Sequence, residues 1–136
     1  MFASASQRSG GFTLVELLIV ISIIGVLGAI VSPFASQAMQ RAKADQERLT
    51  VERTIEHLAF RAFAEGRAVV LEARGAELAW SAADGPRQAM RLDYTFFNPE
   101  QRVVIHPGGY ADQNFIAVVQ AGRVREIPLN AWLEAP

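Results

Sequence analysis

The feature that most constrains this chain is a long apolar run near its amino terminus that contains one carboxylate. The run covers residues 12–31, twenty residues, and Glu16 is its only charged side chain. At about 1.5 Å per helical residue, this length matches the roughly 30 Å hydrocarbon core of a bilayer. The run can therefore cross a membrane as a helix. An ionisable group at that depth is costly and is usually functional.

One way of processing this segment is ordinary signal cleavage. A secretory signal places positive charge first, then a short apolar core and a small-x-small cleavage site. Here Arg8 is the only basic residue before the run, and the run is long and carries a carboxylate. Ser36-Gln37-Ala38 is nevertheless an acceptable cleavage site. Cleavage after Ala38 would release a soluble periplasmic binding or catalytic domain beginning at Met39. This is the less favoured alternative.

Cleavage between Gly11 and Phe12 would instead keep the apolar run in the mature chain. The new ammonium of Phe12 would lie four residues before Glu16, the helical spacing at which opposite charges meet. An unpaired carboxylate at the centre of a spanning helix costs about 2.5–3.5 kcal/mol, and pairing with a cation offsets that cost. In the simpler alternative, Glu16 lies at the membrane interface and is solvated.

Residues 11–30, GFTLVELLIVISIIGVLGAI, resemble the processing and assembly segment of type IV pilins and type II secretion pseudopilins. The specific combination is a glycine, then a phenylalanine, then a glutamate at the fifth mature position. The resemblance implies that a prepilin peptidase cuts after Gly11 and that the new amino group of Phe12 is methylated. It also implies that Glu16 pairs with an amino-terminal ammonium, of its own or a neighbouring subunit, during filament assembly.

The same resemblance implies a cellular location and partners. The protein would span the inner membrane of a Gram-negative bacterium once, with its carboxyl-terminal domain in the periplasm. Its partners would be the prepilin peptidase, other major and minor pseudopilins through helix packing, and the inner-membrane assembly platform. Charge does not fix the orientation, because Arg41, Lys43 and Arg48 after the run are interleaved with Asp45 and Glu47.

The length of the chain leaves room for one core after the membrane segment. Removing eleven leader residues leaves 125 residues, and the absence of cysteine means that packing and not disulfides must stabilise the domain. The net charge of −1 gives no general attraction to nucleic acid. The predicted parts are a cleaved leader (1–11), a transmembrane helix (12–33), its amphipathic continuation (34–66) and a periplasmic antiparallel β domain (67–136).

Three residues are expected to soften the long helix, namely Gly25, Gly28 and Pro33. Ser32-Pro33 could simply end the spanning helix, since the residue before a proline disfavours the α conformation. In pilins and pseudopilins the helix usually continues past a proline at this place. We therefore expect continuation, with a kink or a locally unwound stretch near Pro33.

Apolar residues recur at three- and four-residue intervals in the second part of the helix, which predicts a one-faced amphipathic helix. We expect this stripe to pack on the sheet and Gly66 to end the helix. Residues 41–48 have little apolar face and are expected to stand clear of the domain. The stripe consists of Val51, Ile55, Leu58, Ala59, Ala62 and Phe63.

Short apolar runs separated by turn residues follow and predict antiparallel hairpins. The predicted breaks include Asn98-Pro99 and Pro107-Gly108-Gly109. The fold class is therefore α+β, a long amino-terminal helix packed on a small antiparallel sheet. The aromatic residues Tyr94, Phe96 and Phe97 are expected in the core. The predicted strands are residues 68–72, 78–80, 89–94, 102–105, 115–120 and 123–127.

The sequence contains no recognisable catalytic motif. It lacks GxSxG, HExxH and P-loop patterns and has no cysteine, so we expect no enzymatic activity, no cofactor and no metal. His57 is expected to face solvent or a sheet edge. His106, Pro107-Gly108-Gly109 and Asp112 could form a cation-binding loop. A plain turn is favoured because one carboxylate is thin support for a cation site.

Arg123 and Arg125 alternate along the last predicted strand, so their side chains point to one face. The sequence Gly122-Arg123-Val124-Arg125 resembles a GRxR motif of some DNA-uptake minor pilins, which implies nucleic-acid contact through these arginines. Two phosphate contacts would give only weak, salt-sensitive binding. The favoured interpretation is two solvated arginines on the outer face of the sheet, beside Glu126.

The strands that end in residues 122–127 resemble the H-type minor pseudopilins and their relatives among minor pilins. This resemblance implies a minor pseudopilin of the type II protein secretion system, which assembles through its helix into a periplasmic pseudopilus that drives protein export across the outer membrane. One alternative is a minor type IV pilin, acting in pilus assembly or in DNA uptake through Arg123 and Arg125. The alternative from another class is the soluble periplasmic domain released from an ordinary signal peptide.

Overall fold

The computed structural model describes residues 10–133 and has an α+β fold, as predicted. Residues 1–9 of the predicted leader, including Arg8, and the last three residues lie outside the described part of the chain. The chain divides into two units at the bond between Ala38 and Met39. The elements are α1 (Leu14–Glu65), β1 (Val69–Gly75), β2 (Glu77–Ala82), β3 (Gln88–Arg91), β4 (Thr95–Ile105), β5 (Phe115–Gln120), β6 (Arg123–Pro128) and a 3-10 turn (Ala131–Leu133).

The core of the second unit joins the apolar stripe of α1 to one face of the sheet. Val51 and Ile55 are 0% and 1% exposed and belong to one cluster with strand residues from β1, β2, β4, β5 and β6. Phe63 is 66% exposed, so its inclusion in the stripe was wrong. Its neighbours Ala59 and Ala62 already complete the buried face. The strand residues with no more than 1% exposure are Leu71, Ala73, Leu78, Ala79, Thr95, Val103, Ile105, Ile116, Val118 and Ile127.

Gly66 ends α1 as predicted. It has a φ of +63°, in the left-handed region that favours glycine. The N–H of Arg67 donates to the carbonyl of Ala62 at 3.1 Å. This bond is the long-range hydrogen bond of a Schellman cap, and it satisfies a carbonyl that the helix end leaves free.

The sheet is antiparallel with the strand order β3-β2-β1-β4-β5-β6. Strands β3 and β4 follow each other in sequence but are not neighbours, so the prediction of hairpins throughout was wrong at this connection. Strand β4 is shared: Gln101 to Ile105 pair with β1, whereas Thr95 and Phe96 pair with β5. It therefore joins the two halves of the sheet.

The predicted break at Asn98-Pro99 was also wrong, because both residues lie inside β4 and are joined by a cis peptide bond. The β1–β4 register shifts here: Ala73 is opposite Gln101, but Gly75 is opposite Phe97. Residues 98–100 form the irregular stretch. A proline has no N–H to donate, and it is tolerated in strands at such irregularities.

The prediction that residues 41–48 stand clear of the domain was wrong. Ala44 is 7% exposed, and its carbonyl accepts a hydrogen bond from Nε2 of Gln120 at 2.8 Å. The carboxylate of Glu47 accepts from the backbone N–H groups of Asp93 at 2.6 Å and Tyr94 at 2.9 Å. These contacts are polar, so they leave no trace in the apolar periodicity on which the prediction depended.

A buried polar pair completes this contact. Thr95 and Gln120 are 0% and 3% exposed, and Nε2 of Gln120 also donates to Oγ1 of Thr95 at 2.7 Å. The aromatic prediction was correct only for Phe97, which is 2% exposed. Phe96 is 49% exposed, and Tyr94 is half-buried with Nζ of Lys43 5.9 Å from its ring centre.

The two edges of the sheet differ in length and in the number of charged residues that they expose. Strand β3 has four residues. Strand β6 has six, and Arg123, Arg125 and Glu126 are all exposed on it, as is Val124 at 71%.

The Glu47 contacts generate a prediction. Replacing Glu47 with alanine leaves the amides of Asp93 and Tyr94 without their acceptor, and we expect it to destabilise the second unit by about 1–3 kcal/mol. Hydrogen exchange should become faster at these two amides, and thermal unfolding followed by circular dichroism should shift down. The matched control is Glu56→Ala on the exposed side of α1, with an expected change within about 0.5 kcal/mol. Equal effects of the two substitutions would contradict the role of Glu47.

Candidate functional site

The described part of the amino-terminal unit, residues 10–38, is mostly helical and has no buried side chains. Every residue from 10 to 38 is exposed, including Phe12 at 86% and Phe34 at 69%. Helix α1 is long and apolar enough to cross a membrane, and none of its most apolar stretch is buried. A helix that is apolar on all sides requires apolar surroundings, which a bilayer or other apolar helices provide.

The bond between Gly11 and Phe12 lies just before the helix, in an exposed segment without regular secondary structure. A Cβ atom added to Gly10 or Gly11 would meet nothing within 4 Å, and neither glycine has a left-handed φ. The fold of this chain therefore does not itself require glycine at these positions. A requirement for glycine would come from whatever binds this segment.

Thr13 and Glu16 form a reciprocal cap at the start of α1. The N–H of Glu16 donates to Oγ1 of Thr13 at 3.2 Å, and the N–H of Thr13 donates to Oε2 of Glu16 at 3.3 Å. This arrangement is a capping box, which satisfies two of the free donors at a helix start. The negative charge also interacts favourably with the helix dipole there.

Sequence reasoning missed Thr13, although its signal was present. A threonine followed three residues later by a glutamate, just before an apolar run, is the sequence signature of this cap. Glu16 thus has a local structural role that is separate from the predicted pairing with an ammonium. The two roles use the same carboxylate.

The residues expected to soften the helix lie in regular helical structure. Helix α1 includes Gly25, Gly28 and Pro33, so the proline does not end it. The predicted unwound stretch is not observed, because residues 14–65 are helical throughout. Oγ of Ser36 donates to the carbonyl of Pro33 at 2.9 Å. The softening role of these three residues remains a prediction.

Arg123 and Arg125 lie on the helix-facing side of the sheet, so their predicted position on the outer face was wrong. They share one face of β6 with Ile127, two residues beyond Arg125, which is 0% exposed. They are opposite Gln120 and Val118, both of which are buried. The two-residue turn before them sets this register, because one residue more or less would reverse the faces.

Their surroundings include charged groups of α1. Nη1 of Arg125 lies 3.5 Å from Oδ1 of Asp45, with both side chains about half exposed. Arg41, Asp45, Arg123 and Arg125 line one open groove of about 350 Å³. The sequence pattern alone placed Arg123 and Arg125 together but did not connect them with Arg41.

The two histidines lie in simple environments. His57 is exposed on α1. His106 stacks on Tyr110 with ring centres 4.8 Å apart, and the N–H of Gly109 donates to its carbonyl at 2.9 Å, as in a turn. The carboxylate of Asp112 accepts a hydrogen bond from the backbone of Val104 at 2.9 Å. Within residues 10–133, no three His, Cys, Asp or Glu side chains are placed to hold a metal ion.

Comparison with known proteins gives one family match, and it falls on the amino-terminal segment. The family model described as the prokaryotic N-terminal methylation motif matches residues 6–32, a range that contains Gly11, Phe12 and Glu16. No curated protein and no solved structure matches the chain. The chain therefore carries a prokaryotic N-terminal methylation motif, which is typical of type IV pilins and pseudopilins.

Proposed function

We propose that this protein is a non-enzymatic subunit of a membrane-anchored filament, cut after Gly11 by a prepilin peptidase and methylated on Phe12. One observation carries the proposal: the methylation motif, residues 6–32, extends into the apolar part of α1, whose surface nothing in the described chain buries. Before assembly, the bilayer would cover this surface. In the filament, the helices of neighbouring subunits would cover it.

Glu16 gives this assembly a chemical requirement. After cleavage the ammonium of Phe12 stands four residues before the carboxylate, within reach of a helical ion pair. In a filament core the same carboxylate can pair with the ammonium of a neighbouring subunit. Either pairing offsets the cost of holding a charge in apolar surroundings. The capping box with Thr13 holds the carboxylate at the helix start, next to the new terminus.

The finer proposal is a minor pseudopilin of the type II secretion system. The sequence resemblance of residues 122–127 to H-type minor pseudopilins supports it, together with one small β domain on a long helix. The second unit would face the periplasm, and the subunit would sit near the filament tip with other minor subunits. Its partners would include the major pseudopilin and the inner-membrane assembly platform.

One prediction of the proposed function concerns the amino terminus of the mature chain. We expect protein recovered from cells to begin with methylated Phe12, since cleavage after Gly11 exposes that amino group. Intact-mass measurement and amino-terminal sequencing check this directly. Gly11→Val should leave the precursor uncut. A mature chain beginning at Met39 would contradict the proposal, because the apolar helix would have been discarded.

Another prediction of the proposed function separates the charge of Glu16 from its capping role. Glu16→Gln keeps a side-chain oxygen for the capping box but removes the negative charge. Thr13→Val removes the capping hydroxyl and keeps the charge. If charge pairing drives assembly, Glu16→Gln and Glu16→Ala should both reduce cross-linking into filaments at least tenfold. Thr13→Val should reduce it less than threefold.

Processing at Gly11 should remain largely intact in all three variants, so cleavage serves as the control for membrane insertion. Glu56→Ala provides a matched loss of charge outside the apolar run. Normal cross-linking of Glu16→Gln would show that charge is not required. A large defect of Thr13→Val with a normal Glu16→Gln would assign the role to the cap instead.

A further inference from the structure

A basic groove lies between the start of the domain's helical segment and the β5–β6 hairpin. We define the basic groove by its lining residues Arg41, Ala44, Asp45, Gln120, Ala121, Arg123 and Arg125. All of these residues belong to the second unit. The groove is open and has a volume of about 350 Å³.

The groove has an excess of positive charge in a chain that is close to neutral. Three guanidinium groups and one carboxylate line it, whereas the whole chain carries a formal charge of −1. Asp45 pairs with Arg125 at 3.5 Å, and the two side chains are 58% and 48% exposed. An exposed pair of this kind is weak and rearranges readily. Within the described residues, Arg41 and Arg123 form no ion pair with a carboxylate.

The β5–β6 turn fixes the position of two of these arginines. Ala121 and Gly122 have φ values of +49° and +71°, as in the tight two-residue turns that join antiparallel strands. Arg123 follows this turn directly, and its partner across the ladder is the buried Gln120. The backbone that carries the arginines is therefore held in one register, although their side chains reach solvent.

The chemistry of the groove favours a phosphate group. A guanidinium presents its N–H donors in a planar fork that matches two phosphate oxygens. A groove of this volume holds one compact anionic group. Double-stranded nucleic acid instead presents a row of phosphates to an extended basic surface. Here Asp45 interrupts the positive charge within the groove, and Glu126 adds a negative charge on the other face of the same strand.

We propose that the basic groove binds a phosphate group, supplied by the headgroup of an anionic phospholipid or by free phosphate. The lipid source rests on the proposed function, since it requires the apolar helix to be anchored in a membrane. Arg123 and Arg125 contact the phosphate oxygens, and Arg41 adds a third donor group from α1. Asp45 exchanges its contact with Arg125 for solvent when the phosphate enters.

The test uses the full chain in a non-ionic, phosphate-free detergent. One arm titrates inorganic phosphate, and the other titrates short-chain phosphatidylglycerol. Both are run at constant ionic strength, with a titration of chloride as the reference anion. Binding is followed by calorimetry and by the Nε–H resonances of the arginine side chains. The groove variant carries both Arg123→Gln and Arg125→Gln. The matched control is Arg74→Gln with Arg102→Gln, which removes two charges from exposed positions on β1 and β4.

We expect saturable binding in the unmodified chain, at least tenfold weaker binding in the groove variant, and a change below twofold in the control. Tighter binding of phosphatidylglycerol than of inorganic phosphate identifies the lipid source, and the reverse order identifies free phosphate. Absence of saturable binding in both arms would overturn the proposal, as would equal weakening in groove variant and control. A third titration uses a short DNA duplex, and tighter binding of the duplex through the same arginines would also overturn the proposal.

Further measurements keep the result interpretable. Circular dichroism and amide spectra check the fold of each variant, and Arg41→Gln tests the groove from α1 if the hairpin variant fails to fold. Cleavage at Gly11 is measured in the same preparations. Loss of phosphate binding with normal cleavage overturns only the groove, whereas absent cleavage counts against the proposed function.

Discussion

An apolar helical stretch that no residue of the described chain covers is the constraint on which the rest of the structure depends. Burial of apolar surface contributes roughly 25 cal/mol per Å², and the side chains between Phe12 and Phe34 leave most of theirs uncovered. Such a helix must obtain its stabilisation from a bilayer or from other helices. The methylation motif stands at the start of this helix, so the processing segment and the unburied surface form one continuous stretch of sequence.

The carboxyl-terminal part of the same helix packs against the sheet of its own domain. From Val51 onward it places a narrow apolar stripe on the sheet, and its other faces carry charge. Before that stripe, polar contacts connect the helix to the domain: Glu47 holds two backbone N–H groups, and Gln120 joins the carbonyl of Ala44 to Thr95. The contacts of Gln120 are buried, and buried polar contacts impose geometry as well as stability, because their partners have few satisfactory arrangements.

Much of the fold could be predicted from sequence because it depends on periodicity. The helix, its end at Gly66 and the last two strands follow from apolar spacing and turn residues, which act locally. Three of the errors have a common cause: the order of the strands, the shared role of β4 and the contacts of Glu47 depend on residues about 25 to 50 positions apart. Local patterns contain no information about such pairings.

The candidate sites also divide into those that a local sequence pattern indicates and those that depend on the folded structure. Gly11, Phe12 and Glu16 could be proposed as site residues because they form a short local pattern, which the matched range 6–32 contains. The Thr13 cap could have been found by the same reasoning. The face occupied by Arg123 and Arg125 could not, because it depends on the register that the turn at Ala121-Gly122 imposes on β6. The approach of Arg41 depends on the packing of α1 against that hairpin.

The two sheet edges also have a consequence for association between copies. An open edge strand offers unpaired backbone groups to any extended chain nearby, which is a common route to aggregation. Strand β3 is too short to offer a long template, and the charges of β6 oppose the approach of an identical strand. Backbone pairing between domains is thereby discouraged at both borders of the sheet. In the proposed filament the apolar helices carry the polymerisation, so the β domains can lie at high local concentration without joining their sheets into fibrils.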